Sequence, residues 1–168
     1  NWWTKNEYNR HLYVGQAIYK LDTQNRHSFE TEELIKQVNI ARKNGKVNGN
    51  IYFRAKAFVS NHQNFQKTIS ESIYKYPSLI PAMTWIDSIS PSKPTKLKAK
   101  INEGKISLRW KSPKYNYSND SAAYFVVYRF EEGEIISTKF PNKIVSIQKN
   151  NEFTDTTATI NKKYRYAV

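Results

Sequence analysis

The chain has 168 residues, of which 39% are hydrophobic, and a formal net charge of +13. That hydrophobic share excludes a wholly disordered chain, and the absence of cysteine excludes disulfides and thiolate metal sites. No apolar run approaches the roughly 20 residues that a membrane helix needs. Because the sequence opens on Asn1, Trp2 and Trp3 with no signal peptide, we expect a piece excised from a longer protein.

The positive charge is spread along the chain. Its densest stretch lies between residues 91 and 105, where lysines stand mostly at alternate positions: Lys93, Lys96, Lys98, Lys100 and Lys105. This spacing predicts a solvated strand face, and it lacks the arginine clusters and stacking aromatics of a nucleic-acid site. We therefore predict no nucleic-acid partner, and a hypothesis of nucleic-acid binding rests on charge alone.

Two long apolar runs in the first half predict buried strands. The first is His11–Leu21, with the sequence HLYVGQAIYKL, and the second is Val47–Ala57, with the sequence VNGNIYFRAKA. Between them, Thr31 is predicted to cap a helix whose apolar stripe is Leu34, Ile35, Val38 and Ala41. Gly45 is predicted to end this helix as a left-handed residue.

A second helix is predicted after Asn61 or Asn64, with apolar residues about every four positions from Phe65 to Tyr76 and a stop at Pro77. The order strand, helix, strand, helix predicts a crossover that joins two parallel strands. The following apolar tail, Ser78–Ile86, is predicted to pack back on this part. Asp87–Pro94 has two prolines and three serines and is predicted to be a linker.

Short strands separated by turns follow, which is typical of an antiparallel sandwich. The central one is Ala122–Phe130, AAYFVVYRF, because it is apolar on both faces. Trp110 is predicted to lie in the core between two sheets, and Tyr164 has the position of a tyrosine corner. The predicted strands are Thr95–Ile101, Lys105–Trp110, Ala122–Phe130, Glu134–Thr138, Lys143–Gln148, Glu152–Asp155 and Lys163–Val168.

These residues resemble a fibronectin type III domain. The pieces that carry the resemblance are Pro94, ISLRW ending at Trp110, YFVVYRF, FTDTT around Asp155, and KKYRYAV at the end. The resemblance extends from Pro94 to Val168 with one departure. A full module has one more strand after the tyrosine strand, so we expect a sandwich that lacks its last strand.

The first part resembles the end of the barrel in the bacterial glycosyl-hydrolase-like family ten. The resemblance is carried by WW at Trp2-Trp3, HLYVGQAIYKL, IARKNGKVNGNIYF, and YPSLIPAMTWID joined directly to the type III segment. It implies two strand-helix units of a (β/α)₈ barrel, which cannot close with two strands. The expected fold class is α/β plus all-β: a partial TIM-barrel segment over residues 1–86, a linker over 87–94, and a fibronectin type III-like sandwich over 95–168.

Glycoside hydrolysis generally needs two carboxylates beside the scissile bond, and barrels place them at the carboxyl ends of strands. Asp22 is the one carboxylate close behind a predicted barrel strand, and Glu30 follows in the same loop. A turn-forming role for Asp22 is the favoured interpretation, with membership of a catalytic pair as the alternative. No catalytic residue is assigned.

Gln16, Tyr19, Asp22 and Arg54 are the predicted substrate-binding residues, because an amide, a phenol, a carboxylate and a guanidinium can bind sugar hydroxyls. Packing for Tyr19 and a surface ion pair for Arg54 are the competing interpretations. Which face of the first strand points inward stays open.

Trp2 and Trp3 fit core or interface positions better than a sugar platform. The three histidines stand apart from other ligands in the sequence, so neither a metal site nor a cofactor is predicted.

Two functional hypotheses follow from the resemblance. One is a part of a secreted, periplasmic or cell-surface bacterial glycoside hydrolase that acts on O-glycosidic bonds of a polysaccharide, with this part inactive alone. The other is a non-catalytic module that binds carbohydrate or protein or acts as a spacer. Self-association through the open barrel edges is a further expectation.

Overall fold

A computed structural model describes residues 2–24, 26–113 and 123–168. The chain divides into two units, Asn1–Ser88 and Ile89–Val168, and each is described by itself.

The first unit alternates short strands and helices. In chain order these are a 3₁₀ helix Trp3–Lys5, β1 Leu12–Gln16, a 3₁₀ helix Ile18–Leu21, α1 Thr31–Lys43, β2 Val47–Tyr52, α2 Ala55–Ser60, a 3₁₀ helix His62–Asn64, and α3 Phe65–Glu71. Strands β1 and β2 pair in parallel, with Val14 opposite Asn50 and Gln16 opposite Tyr52. The predicted parallel arrangement of the two strands is confirmed.

Only one face of this two-stranded sheet is covered. The core of the unit joins the turn after β1 with α1 and α3, and its buried members are Ile18, Leu21, Leu34, Val38, Phe65, Ile69 and Ile73. Tyr52 packs against this core from β2, so its face of the sheet is the covered one. On the other face, Ile51 is 60% exposed. The prediction of strands buried on both faces is therefore wrong for the described residues.

Both predicted strands are shorter than their apolar runs. The first ends at Gln16, and Ile18–Leu21 forms a 3₁₀ turn instead of continuing the strand. The reason is spacing: Ile18 and Leu21 are three residues apart, so one such turn directs both into the core. The second strand ends at Tyr52, and Ala55 already begins α2.

The amino end of α1 is capped through tertiary structure. Thr31 is the first helical residue and not the cap, and the Glu30 side chain makes no capping bond. The side chain of Gln63 takes that role: its Oε1 accepts from the Thr31 N–H at 2.8 Å and from the Thr31 hydroxyl at 3.1 Å. At the other end Gly45 has no positive φ, so the left-handed cap predicted there is wrong.

Helix α3 follows the predicted spacing over a shorter length. Asn64 stands at its N-cap position, and the Asn61 side chain accepts from the Gln66 N–H at 2.8 Å. The helix ends at Glu71, before the predicted stop at Pro77. In the tail beyond it, the Trp85 ring packs edge-on against His11 with ring centroids 4.5 Å apart, as the prediction that the tail packs back requires.

The second unit contains two three-stranded antiparallel sheets. One has the order β3-β4-β7 and the other β6-β5-β8. Their strands are β3 Thr95–Asn102, β4 Lys105–Lys111, β5 Phe125–Glu131, β6 Ile144–Gln148, β7 Glu152–Asp155 and β8 Tyr164–Ala167, with a 3₁₀ helix Pro141–Lys143 before β6.

The two sheets share one core. Trp110 of β4 is 2% exposed and lies edge-on to Phe125 of β5, with ring centroids 5.5 Å apart. Leu108 and Val127 complete the buried set, which residues of both sheets surround. The core position of Trp110 and the central position of β5 are therefore confirmed. Ala122, which the prediction placed at the start of this strand, lies outside the described residues.

One predicted strand is wrong. Glu134–Thr138 forms no strand, and the side chain of its first residue, Glu134, binds two neighbouring segments. The Glu134 carboxylate accepts from the Glu131 N–H at 2.7 Å and binds the Lys143 ammonium. These contacts fold the segment back on the end of β5, and β6 pairs with β5 in its place.

A buried carboxylate links β5, β7 and β8. Asp155 is 1% exposed and accepts from the Arg129 guanidinium, the Thr157 hydroxyl and the Tyr166 hydroxyl, each at 2.8 Å. Burial by itself raises the pKa of Asp155, but the hydrogen bonds from Tyr166, Thr157 and Arg129 outweigh it, so that the pKa lies below its usual value.

The described residues form mixed α and β structure without a closed barrel. Within the described part of the chain, no helix is long and apolar enough to cross a membrane.

Candidate functional site

The candidate site lies at the carboxyl ends of β1 and β2. Because the strands are parallel, both chains leave the sheet at the same edge, where α/β proteins commonly bind ligands. The two exits are joined by a hydrogen bond of 2.9 Å from the Phe53 N–H to the Gln16 carbonyl oxygen. Residues just after the strands are therefore held close to one another.

Two aromatic rings meet at this edge. Tyr19, in the 3₁₀ turn after β1, lies edge-on to Phe53, which directly follows β2, with ring centroids 6.0 Å apart. Tyr19 is half-buried and Phe53 is 63% exposed. An exposed ring at a strand end offers a flat apolar surface, of the kind that contacts the apolar side of a sugar.

Asp22 lies in a turn three residues after Tyr19. Its Oδ1 accepts from the Gln24 N–H at 3.0 Å, which is the turn-forming role favoured from the sequence. Its Oδ2 lies 3.9 Å from Nε2 of His62. Asp22 follows a 3₁₀ helix and not a strand, because β1 ends six residues earlier at Gln16.

Gln16 lies on the covered face of the sheet. Its side chain is buried, and its Nε2 donates to Oδ1 of Asn50 on the neighbouring strand at 2.8 Å. Its Oε1 has no hydrogen-bond partner among the described residues. The structure thus decides the open question of strand faces: Gln16 shares the helix side with Tyr52, and Gly15 and Ile51 lie on the uncovered side.

Arg54 lies at the N-cap position of α2 and is exposed. The peptide bond from Phe53 to Arg54 is cis. The Arg54 carbonyl oxygen accepts from the N–H groups of Ala57 and Phe58 at 3.0 and 3.2 Å. Its backbone therefore starts the helix while its guanidinium faces solvent beyond the strand end.

A tyrosine pair supports β2 near this edge. The hydroxyl oxygens of Tyr52 and Tyr74 are 2.8 Å apart, and Arg42 lies over the Tyr74 ring at 5.1 Å. Burial, followed by the hydrogen bond to Tyr74, raises the pKa of Tyr52. Its phenol stays neutral at physiological pH and serves as a hydrogen-bonding support for the strand.

The predicted site residues fall into two groups: Tyr19 and Asp22 share a turn, whereas Gln16 is buried on the covered face and Arg54 is exposed at the start of α2. The structure brings Tyr19 and Asp22 together in one turn and adds Phe53 and His62, which the sequence analysis did not select. Phe53 could have been found as the aromatic residue next to Arg54, near the carboxyl end of the second apolar run. His62 carries no such signal, because only folding brings it within 3.9 Å of Asp22.

Trp2 and Trp3 do not take core positions in the described structure. Their rings are in edge contact, with centroids 4.7 Å apart, and both are mostly exposed. Trp3 lines a groove of about 540 Å³ with Leu12 and Asn44, at the amino end of β1. It therefore lies away from the edge at which Tyr19 and Phe53 meet.

The site offers binding groups rather than a complete catalytic pair. In the part of the chain that the structure describes, no three or more His, Asp or Glu side chains are grouped to hold a metal ion. Asp22 is the carboxylate nearest to the strand ends in sequence, and Glu30 stands at the N-cap position of α1. Hydrolysis by two carboxylates needs a second acid facing the same sugar.

Comparison with known proteins gives one informative relative. Over 174 residues the chain is 31% identical to the protein named Glycosyl hydrolase YngK of Bacillus subtilis (strain 168). The match covers 100% of this chain and 33% of that protein, so the chain spans about a third of the length of the relative. No family model matches the chain, and no solved structure matches it. The chain is thus related over its whole length to a protein named as a glycosyl hydrolase.

Proposed function

We propose that this chain is part of a bacterial glycoside hydrolase similar to the glycosyl-hydrolase-like family ten. In this proposal the first unit supplies two strand-helix units of a (β/α)₈ barrel, and the second unit is a fibronectin type III-like domain. The observation that carries the proposal is the pair of parallel strands with polar and aromatic groups at its carboxyl ends. The relationship to a protein named Glycosyl hydrolase YngK supports it.

The uncovered face of the sheet also supports the barrel. Tyr13, Ile51 and Phe53 leave large apolar areas exposed there, while the helices cover the opposite face. In a barrel the helices lie outside and the second face is buried in the interior. The exposed face and the groove along β1 would then be filled by further strand-helix units or by a second copy of the chain.

Three features favour a type III-like fold for the second unit. Its two antiparallel sheets enclose a buried tryptophan at position 110. The Tyr164 hydroxyl accepts from the Thr159 N–H at 3.2 Å, five residues upstream, which is the bond that defines a tyrosine corner. β8 pairs with β5 alone among the described strands, and its free edge is where a type III domain carries one more strand.

The proposed substrate is a polysaccharide. In this proposal Phe53 and Tyr19 contact the apolar side of a sugar ring, and Asp22 and Arg54 bind its hydroxyl groups. Gln16 lies on the covered face of the sheet and does not contact the sugar in this proposal. It positions the end of β1 through its hydrogen bond to Asn50 of β2. The protein would act outside the cytoplasm, in a secreted, periplasmic or surface-attached form, on O-glycosidic bonds. The described residues provide no paired carboxylates at the site, so we expect no hydrolysis by this chain alone.

Binding of soluble neutral polysaccharides, such as xylan, β-glucan and starch, tests the proposal by affinity gel electrophoresis. We expect retardation by at least one of them without release of reducing sugar. Phe53→Ala should weaken this binding about two- to tenfold, because an aromatic contact is worth roughly 0.5–1.5 kcal/mol. Trp3→Ala removes an equally exposed ring at the other end of β1 and should leave binding unchanged.

The outcomes separate the candidate functions. Binding that is insensitive to Phe53→Ala places the sugar elsewhere and favours the non-catalytic binding module. No binding to any polysaccharide overturns the proposed carbohydrate contact at the strand ends. Release of reducing sugar by the chain alone contradicts its proposed dependence on a second carboxylate. Sedimentation of the chain at increasing concentration tests whether the open edges associate.

A further inference from the structure

The outward face of the β3-β4-β7 sheet concentrates positive charge. Alternation along β4 directs Leu108 and Trp110 inward, and Ser107 and Arg109 outward. The register places Lys98 beside Arg109 and Lys100 beside Ser107 on this outward face. Arg109 in turn lies opposite Glu152, which is the one carboxylate that the register places there among the described residues.

These side chains line a groove of about 760 Å³. The groove has three cationic side chains, those of Lys98, Lys100 and Arg109. It also has hydroxyl and amide groups, from Ser107, Thr154 and Asn102. Within the described structure, neither Lys98 nor Lys100 forms an ion pair with a carboxylate of the chain. Arg109 already binds one carboxylate, since its guanidinium lies 2.9 Å from Glu152. The groove is therefore suited to anionic groups that alternate with hydroxyls.

We infer that this groove binds a carboxylate-bearing polysaccharide. The lysines would pair with the carboxylates, and the hydroxyl and amide side chains would bind the sugar hydroxyls. Nucleic acid fits less well because, among the residues that the structure describes, the outward face has no stacking aromatic: Phe153, the aromatic in the lining of the groove, packs against the core. The inference concerns the second unit alone and goes beyond the proposed role of the strand ends in hydrolysis.

The test compares two double variants of the full chain that remove equal charge. Lys98→Gln/Lys100→Gln alters the groove, and Lys36→Gln/Lys67→Gln alters exposed positions on α1 and α3. Each lowers the formal net charge of +13 by two. Binding to polygalacturonate and to uncharged dextran is measured by isothermal titration calorimetry at about 0.05 M salt, where exposed charges are weakly screened.

We expect polygalacturonate, and not dextran, to bind. Lys98→Gln/Lys100→Gln should weaken binding about five- to tenfold, as two exposed ion pairs would, and the control variant by less than about twofold. Raising the salt to about 0.5 M should remove most of the difference between the variants.

Three results would overturn the inference. Absence of polygalacturonate binding excludes the ligand class. Equal weakening in both double variants shows that overall charge, and not the groove, attracts the polymer. Tighter binding of duplex DNA than of polygalacturonate, lost in the groove variant, assigns the face to nucleic acid. None of these results depends on neutral polysaccharide or on Phe53, so a failure here leaves the proposed function standing.

Discussion

The two units of this protein bury their sheets in different ways. In the first unit, helices cover one face of a two-stranded parallel sheet, and Ile51 on the other face is 60% exposed. In the second unit, two antiparallel sheets cover each other, and Trp110 between them is 2% exposed. Parallel sheets in proteins are normally covered on both faces, whereas antiparallel sheets tolerate one solvated face.

This difference indicates where stability and function reside. The second unit has a core whose buried residues contact one another across both sheets, so its stability depends on a few large side chains. The first unit has a core on one side only, and among the described strands the other face of its sheet and the outer edges of β1 and β2 have no partner. Substitutions can therefore distinguish residues that stabilise the chain from exposed residues that are available to contact a partner.

The largest expected effect is at the core of the second unit. Trp110→Ala should lower the free energy of unfolding of that unit by about 3–5 kcal/mol, because it leaves a cavity beside Phe125. Hydrogen exchange of the β5 amides measures the loss, and the α1 amides of the first unit serve as an internal reference. Unchanged protection of β5 would contradict the central role of this core.

A paired substitution tests the one-sided core of the first unit. Leu34→Ala, at a fully buried position on α1, should cost about 2–4 kcal/mol, and Ile51→Ala on the uncovered face should cost less than about 0.5 kcal/mol. Hydrogen exchange of the α1 and β2 amides gives both values. Comparable losses in the two variants would show that Ile51 is covered in solution, by a second copy or by another part of the chain.

The buried carboxylate of the second unit makes its stability depend on pH. Because the pKa of Asp155 is lowered in the folded state, its contribution is complete above its unfolded value of roughly 3.9 and is lost as the pH falls through the folded value. Asp155→Asn should cost about 2–3 kcal/mol at pH 7, since Arg129 loses its charged partner.

Urea denaturation at several pH values checks this prediction. Below about pH 4 the wild-type chain should lose stability more steeply than Asp155→Asn. Glu152→Gln is the matched control: it removes the carboxylate of an exposed pair with Arg109 and should change stability by less than about 1 kcal/mol. Equal slopes in the wild-type chain and in Asp155→Asn would rule out the linkage.

The smallest expected effect compares two glycines of the parallel sheet. A Cβ at Gly49 would come within 2.9 Å of the Tyr13 ring, while a Cβ at Gly15 would meet nothing within 4 Å. Gly49→Ala should therefore cost about 1 kcal/mol, and Gly15→Ala should be neutral or slightly stabilising. Thermal unfolding of the two variants measures the difference in stability. If both variants behave alike, the Tyr13 ring moves aside freely on the uncovered face.

The sequence predicted the elements whose pattern is local. Alternation in YFVVYRF identified the central strand, the spacing of Leu34, Val38 and Ala41 identified the core face of α1, and alternate lysines identified exposed β3. At the site, Tyr19, Asp22 and Arg54 were selected as polar side chains near the carboxyl ends of the two predicted strands. These features depend on residues a few positions apart, so a single chain suffices to show them.

Tertiary structure decided where those elements end and what their ends contact. An apolar run such as HLYVGQAIYKL does not show that the strand stops at Gln16, because a 3₁₀ turn buries Ile18 and Leu21 equally well. Three of these contacts join residues more than 30 positions apart. They are the cap of α1 by Gln63, the approach of His62 to Asp22, and the hydrogen bond from Gln16 to Asn50 on the covered face of the sheet. Such contacts arise only when the chain packs, since no local pattern specifies the partner.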